Sequence, residues 1–202
     1  MTRKEVLLFQ LHECRNEFAD ALEGLSDDRL VARPVQGRNP IGWIVCHCMK
    51  NFDFFLYATQ TGKSVLTPAG QYGAFARYQE RPPKEGNPPP DMSGLAEAAD
   101  RVFAACIAAI EPLDESAFDE EAPYWMHVDE NIEHVAENCV RVINHSNAHL
   151  RQIWMLRGAM GDTEHWPVQT LIKDRTRPEM PFVVPERAAI LGLRRGKAGR
   201  GR

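Results

Sequence analysis

No stretch of this sequence is long and apolar enough to span a bilayer. The longest apolar run, Val102 to Ile110, is nine residues, against the roughly 18 that a membrane helix needs. A surplus of positive charge is missing too. With 24 Lys+Arg against 28 Asp+Glu the formal charge is −4, so no basic field marks nucleic acid as the default partner. Cysteine is sparse: five residues, at 14, 46, 48, 106 and 139, an odd number with no CxxC spacing. That excludes an obvious disulfide framework and fits a reducing compartment. The N-terminal Met-Thr-Arg-Lys-Glu-Val-Leu-Leu lacks an apolar signal core followed by a small-residue cleavage site, so the expected address is the cytoplasm. Strand-like alternation of comparable strength to the helical patterns is absent, as is any repeat at a solenoid period. What remains, 44% hydrophobic and 26% charged residues, is the composition of one globular domain and excludes disorder as the main state.

Four segments carry a helical period. The first runs from about Thr2 to Glu23, with Thr2 and Glu5 at capping-box spacing, Val6, Leu7, Leu11, Cys14, Phe18 and Leu22 along one face, and Gly24 as its stop. A connector with Ser26-Asp27-Asp28, Pro34 and Gly37 reads as a turn or short extra helix. The second helix is predicted from Asn39-Pro40 to Thr61, because Asn caps well and Pro suits the first helical position. Its stripe is Ile41, Ile44, Val45, Cys48, Phe52 and Phe55. Residues 62–91 are rich in Gly and Pro, which bars continuous helix. The third helix spans about Ser93 to Glu111 and stops at Pro112. The fourth and longest spans about Asp129 to Met160, closed by Gly161. These elements predict an all-α, antiparallel four-helix bundle over residues 1–165 with long connectors. A C-terminal extension, 166–202, ends in a flexible basic tail.

The chemistry concentrates in the histidines. His145 and His149, four apart on the longest helix, project on one face about one turn apart, close enough to reach one metal ion. Seven histidines scattered over this length give about 0.2 such pairs by chance, so the spacing alone is a weak signal. Angular placement sharpens it. Taking His145 as zero at 100° per residue, the apolar stripe lies at about 60° to 180°, His149 at about 40°, and Asn138 and Gln152 at about ±20°. On the second helix, with Cys48 as zero, His47 lies at about −100° and Asn51 at about −60°. All three histidines border a core stripe, where side chains of neighbouring helices meet across a groove. Three unrelated, half-exposed helix histidines remain the alternative at this point. Cys46 and Cys48 point to either side of His47 and are poor co-ligands of the same ion.

Two motifs resemble a known family. Asn39-Pro40-Ile41-Gly42-Trp43-Ile44-Val45-Cys46-His47 looks like the second-helix signature of the DinB-like (YfiT-like) superfamily, small damage-inducible bundle metalloproteins. Asn144-His145-Ser146-Asn147-Ala148-His149-Leu150-Arg151-Gln152-Ile153 looks like its HxxxHxxQ signature on the last helix. Leu25 to Leu30 and Pro34 resemble the family's lead-in to helix two, so the likeness covers roughly residues 1 to 160. It implies a divalent metal, zinc or nickel by ligand type, held by His47, His145 and His149 with an open position. Such a site acidifies a bound water or a low-molecular-weight thiol, implying a thiol S-transferase or a hydrolase. Asn51, Asn138 and Gln152 are candidates to orient a ligand or substrate. Where many relatives carry an acidic residue one turn after the helix-two histidine, this chain has Asn51, which puts a carboxylate for proton transfer in doubt.

Three further expectations follow. Tyr72, Phe75, Tyr78, Tyr124 and Trp125 could roof an apolar pocket over the site. A homodimer is implied by the resemblance and by apolar positions such as Trp154, at the far edge of its stripe. The other class of function is a stress-related binding protein, with or without metal, that has no turnover.

Overall fold

In the computed structural model, which describes residues 2–67, 94–122 and 133–162, the first helix begins where the capping box places it. The Thr2 hydroxyl accepts from the Glu5 N–H (3.2 Å), and the Glu5 carboxylate accepts from the Thr2 N–H (2.7 Å). Two of the donors orphaned at a helix start are thereby satisfied. Helix α1 (Arg3–Leu22) buries Leu7, Leu8, Leu11, Cys14, Phe18, Ala21 and Leu22, while Val6 of the predicted face stays exposed. Gly24 beyond it has φ 71°, the left-handed conformation that ends helices at no cost to glycine. The connector holds the short helix α2 (Asp27–Val31).

The second helix departs from the sequence reading in two respects. Helix α3 (Ile41–Asn51) is preceded by Pro40 at the cap, not Asn39, and no side chain caps it. Phe52–Ala58 then widens into a π-helix, and a last α-helical turn, α4 (Thr59–Thr61), ends at Gly62. Widening re-aims the side chains that follow. Phe52, Asp53 and Leu56 are therefore buried, while Phe55, which a continuous 3.6-residue period places in the stripe, is only partly so. Neighbouring side chains bond to the carbonyls of this stretch. Thr59 donates to Phe55 (2.8 Å) and Leu56 (3.0 Å), the Cys106 thiol to Phe52 (3.6 Å), and the Asn138 amide to Phe55. The Asp53 carboxylate, fully buried, accepts from the Ser64 hydroxyl (2.6 Å) and the Val65 N–H (2.7 Å) and so ties down the loop after α4.

Helix α5 (Leu95–Ile110) stops short of Pro112. A short 3₁₀ turn (Glu115–Asp119) follows. Strand β1 (Glu121–Ala122) then pairs antiparallel with β2 (Glu133–His134), a two-residue ladder too short to leave a period in the sequence. Helix α6 (Val135–Ala159) starts at this bridge and not at Asp129. The His134 N–H donates to Glu137 (3.1 Å), and Gly161 at φ 81° lies just beyond the end.

Each long helix packs on two others: α1 on α5 and α6, and α3 on the same two. Lys4 reaches the Leu113 carbonyl (2.9 Å) and Arg15 pairs with Asp100 (2.7 Å), so α1 and α5 are antiparallel. His47 meets His145 and Phe55 meets Asn138, so α3 and α6 are antiparallel as well. Arg157 at the end of α6 meets the Ala21 and Glu23 carbonyls at the end of α1, so α1 and α6 run parallel, and α3 and α5 with them. A short turn cannot join parallel neighbours, which accounts for the long connector between α4 and α5. Phe18, Phe103 and Phe52 line up through the centre with ring centroids 5.5 and 4.6 Å apart. Each such ring, fully buried, contributes about 1.5–3 kcal/mol.

Arg157 clamps one end of the bundle. Buried to 1% exposure, its guanidinium donates to the carbonyls of Ala21 (2.8 Å) and Glu23 (2.9 Å) and to the Asp162 carboxylate (2.8 Å from Nε). It thus satisfies the orphan carbonyls of α1 with a side chain from α6. Trp154 is not exposed at the edge of its stripe as the helical wheel predicts. Contacts of α6 with both α1 and α3 bury a wider arc, and the indole is 4% exposed, with Arg157 5.4 Å from its ring centre. The apolar position offered as a mark of dimerisation is therefore used within the fold. The roofing aromatics 72, 75, 78, 124 and 125, His127, His165 and the basic tail lie outside the described residues. Replacing Arg157 by Met should lower the unfolding free energy by about 3 kcal/mol, because a buried carboxylate loses its closest partner. Urea denaturation of the two proteins measures this; an unchanged midpoint would show that the clamp contributes nothing.

Candidate metal centre

Helix α3 is buried on almost every side. From Ile41 to Met49 each residue is buried except His47. A helix apolar all round sits in the middle of a protein, and over these nine residues the one opening is a histidine. Trp43, one turn earlier, stacks on the His47 ring with centroids 5.1 Å apart and planes 15° from parallel. That contact fixes the plane of the imidazole.

Across the groove α6 supplies His145 and His149. The three ring centroids are 4.6 to 5.0 Å apart. The Nε2 atoms of His47 and His145 are 2.8 Å apart, and one ligating nitrogen from each of the three residues lies within 4.8 Å of the others. Two imidazole lone pairs facing each other at this distance repel unless a proton or a cation lies between them. Three imidazoles, donors of borderline softness, fit a divalent metal ion. The His145 pKa is held below the ordinary histidine value, first by loss of solvent around the ring and then by the charge of His149. The shift favours the neutral, ligating form of the ring.

The flanking polar residues differ in what they touch. The Gln152 carbonyl oxygen lies 3.1 Å from His149 Nδ1. A proton on Nδ1 donated to that oxygen leaves Nε2 as the free lone pair. The Asn51 amide nitrogen lies 3.3 Å from His47 Nε2, on the ligating side of that ring. Asn138, two turns before His145, spends its amide N–H on the Phe55 carbonyl. Among the described residues no carboxylate belongs to the histidine group, and Asp53, the next acid along the chain from His47, is committed to the loop at 64–66. His134 starts α6 and His12, half-buried, lies on α1.

A cavity of about 310 Å³ opens beside the histidines, walled by Arg38, Asn39 and Ile44 on one side and by His149, Gln152 and Met155 on the other. Neither Arg38 nor Trp43 stands out in the sequence. The i, i+4 spacing of Trp43 and His47 is the one signal that could have revealed their stacking.

The DinB superfamily model matches residues 10–153, more than half of the chain. The chain belongs to the DinB superfamily. No curated protein matches it. The match spans the helices that carry all three histidines of this DinB-superfamily chain, and among the described residues no helix is long and apolar enough to cross a membrane.

The protein's own thiols are poor nucleophiles. All five cysteines are free and buried. Burial pushes the Cys48 and Cys139 thiols up to about 12 and raises Cys14, Cys46 and Cys106 as well. A thiol so shifted is almost entirely protonated at neutral pH and inert. An aromatic disulfide reagent should accordingly find no fast-reacting cysteine in the native protein and five after denaturation. A thiol that reacts within the mixing time of the native protein would contradict the packing described.

Proposed function

We propose that this protein holds one divalent ion, zinc or nickel, on His47, His145 and His149 and uses it to activate a low-molecular-weight thiol for S-transfer. The observation that carries the reading is the convergence of three imidazoles with no carboxylate among them. A divalent ion in such a site acidifies a bound thiol or water towards neutral pH. Hydrolysis usually adds a positioned base to take a proton from water, and Asn51, where many relatives have an acid, cannot accept one through its amide nitrogen. Thiol transfer needs less: the thiol proton goes to solvent, the sulfur forms a bond to the electrophile, and the leaving group departs with its electron pair. The protein's own cysteines are buried and cannot substitute, so the thiol comes from solution. Gln152 orients His149, Trp43 orients His47, and the Asn51 amide is placed to donate a hydrogen bond beside the ligating nitrogens.

The test loads the protein with cobalt(II) and adds 2-mercaptoethanol, followed by an aromatic chloride as electrophile. The reading predicts a sulfur-to-cobalt charge-transfer band and metal-dependent S-arylation, both lost in His145→Ala. A band without S-arylation of any electrophile offered favours the second class of function, a ligand-binding protein without turnover. No band in the metal-loaded protein removes the thiol from the account.

A further inference from the structure

We propose that the cavity beside the histidines is a subsite for the carboxylate of a small acidic thiol, with Arg38 as its anchor. The inference rests on the thiol reading above for one end of the ligand and on the cavity for the other. His149 belongs to both the histidine group and the cavity wall, and Gln152, which bonds to its Nδ1, lines the same cavity, so a molecule filling the cavity touches the His149 ring that Gln152 orients.

Charge selects the other end. Among the described residues, Arg38 is the sole Arg, Lys, Asp or Glu lining the cavity. Other arginines at this end of the molecule have work to do. Arg157 and Arg29 share Asp162 (Arg29 at 3.7 Å), and Arg33 donates to the Arg38 carbonyl (3.3 Å). Among the described residues the Arg38 guanidinium has neither an ion pair nor a hydrogen-bond acceptor. Among the described residues no acidic side chain lines the cavity, and none belongs to the histidine group. A planar fork of donors is the complement of a carboxylate, which it can bind through two parallel hydrogen bonds. Asn39 on the same wall can add a neutral donor, and Ile44, Met155 and Leu156 offer carbon surface for the stem between the two ends. The volume, about 310 Å³, is at the low end of the range for ligand cavities, which suits a short acid and excludes a long one held along its whole length.

The test compares two thiols of equal length, 3-mercaptopropionate and 3-mercapto-1-propanol, binding to the zinc-loaded full chain by calorimetry. The acid should bind about tenfold more tightly, the size of one charge-assisted contact. Arg38→Gln should abolish that preference and Arg38→Lys restore part of it, with zinc content equal in all three proteins. Butyrate added to the metal-free protein separates the two layers. It should shift the amide resonances of Gly37, Arg38 and Met155 in the parent and not in Arg38→Gln. A protein that takes up no zinc yet shows this Arg38-dependent butyrate response would contradict the metal reading and uphold the anion subsite. Equal affinity for acid and alcohol, a preference that survives Arg38→Gln, or no butyrate response in a protein without zinc would each overturn the subsite.

Discussion

The antiparallel crossing of α3 on α6 is the constraint on which the site depends. Because the two helices run in opposite directions and α3 is enclosed on nearly all sides, His47 has one outlet, the groove in which His145 and His149 stand one turn apart. Fixing the crossing are contacts at both levels: the histidines themselves and, two turns away, the Asn138 amide on the Phe55 carbonyl of the π-helical stretch. A slip of α6 by one residue would turn the histidine pair by about 100° and bring other side chains opposite His47. Arg157, which bonds α6 to the end of α1, resists that slip from the far end.

What lies around the histidines is as restrictive as the histidines. Burial removes all five cysteines as reagents, and Asp53 spends its carboxylate on the loop after α4. The family's common acidic position is Asn51, whose amide faces the ligating nitrogen of His47. Positive and neutral donors are left, three imidazoles, two carboxamides and the nearby Arg38, without a negative partner among the described residues. Such a set favours an anionic guest.

Much of this arrangement was legible in the sequence, for identifiable physical reasons. Helix ends that depend on local chemistry were readable: the Thr2–Glu5 reciprocal cap and the glycines at 24, 62 and 161, all with positive φ. Wheel angles, which need no knowledge of the neighbouring helix, put each of the three histidines at the border of a core stripe, and the family resemblance joined them into one group. Features set by neighbours were not. The π-helical widening falls in Phe-Asp-Phe-Phe-Leu-Tyr-Ala, where apolar residues on most sides fit either period. Trp154 reads as the edge of a stripe on a wheel that assumes one packed face, whereas α6 packs on two helices. Arg157 finds its acceptors more than 130 residues away in the chain, beyond the reach of any local pattern, and the same holds for the wall that Arg38 shares with Met155.

The central claim, that three histidines from two crossing helices form one metal site, is tested most directly by zinc stoichiometry. The protein is purified without a polyhistidine tag, stripped, reloaded and analysed beside His145→Ala, with circular dichroism confirming that both are folded. The account predicts about one equivalent of tightly held zinc or nickel in the parent and little in the variant. Equal metal content in both folded proteins, or none in either after reloading, would contradict it.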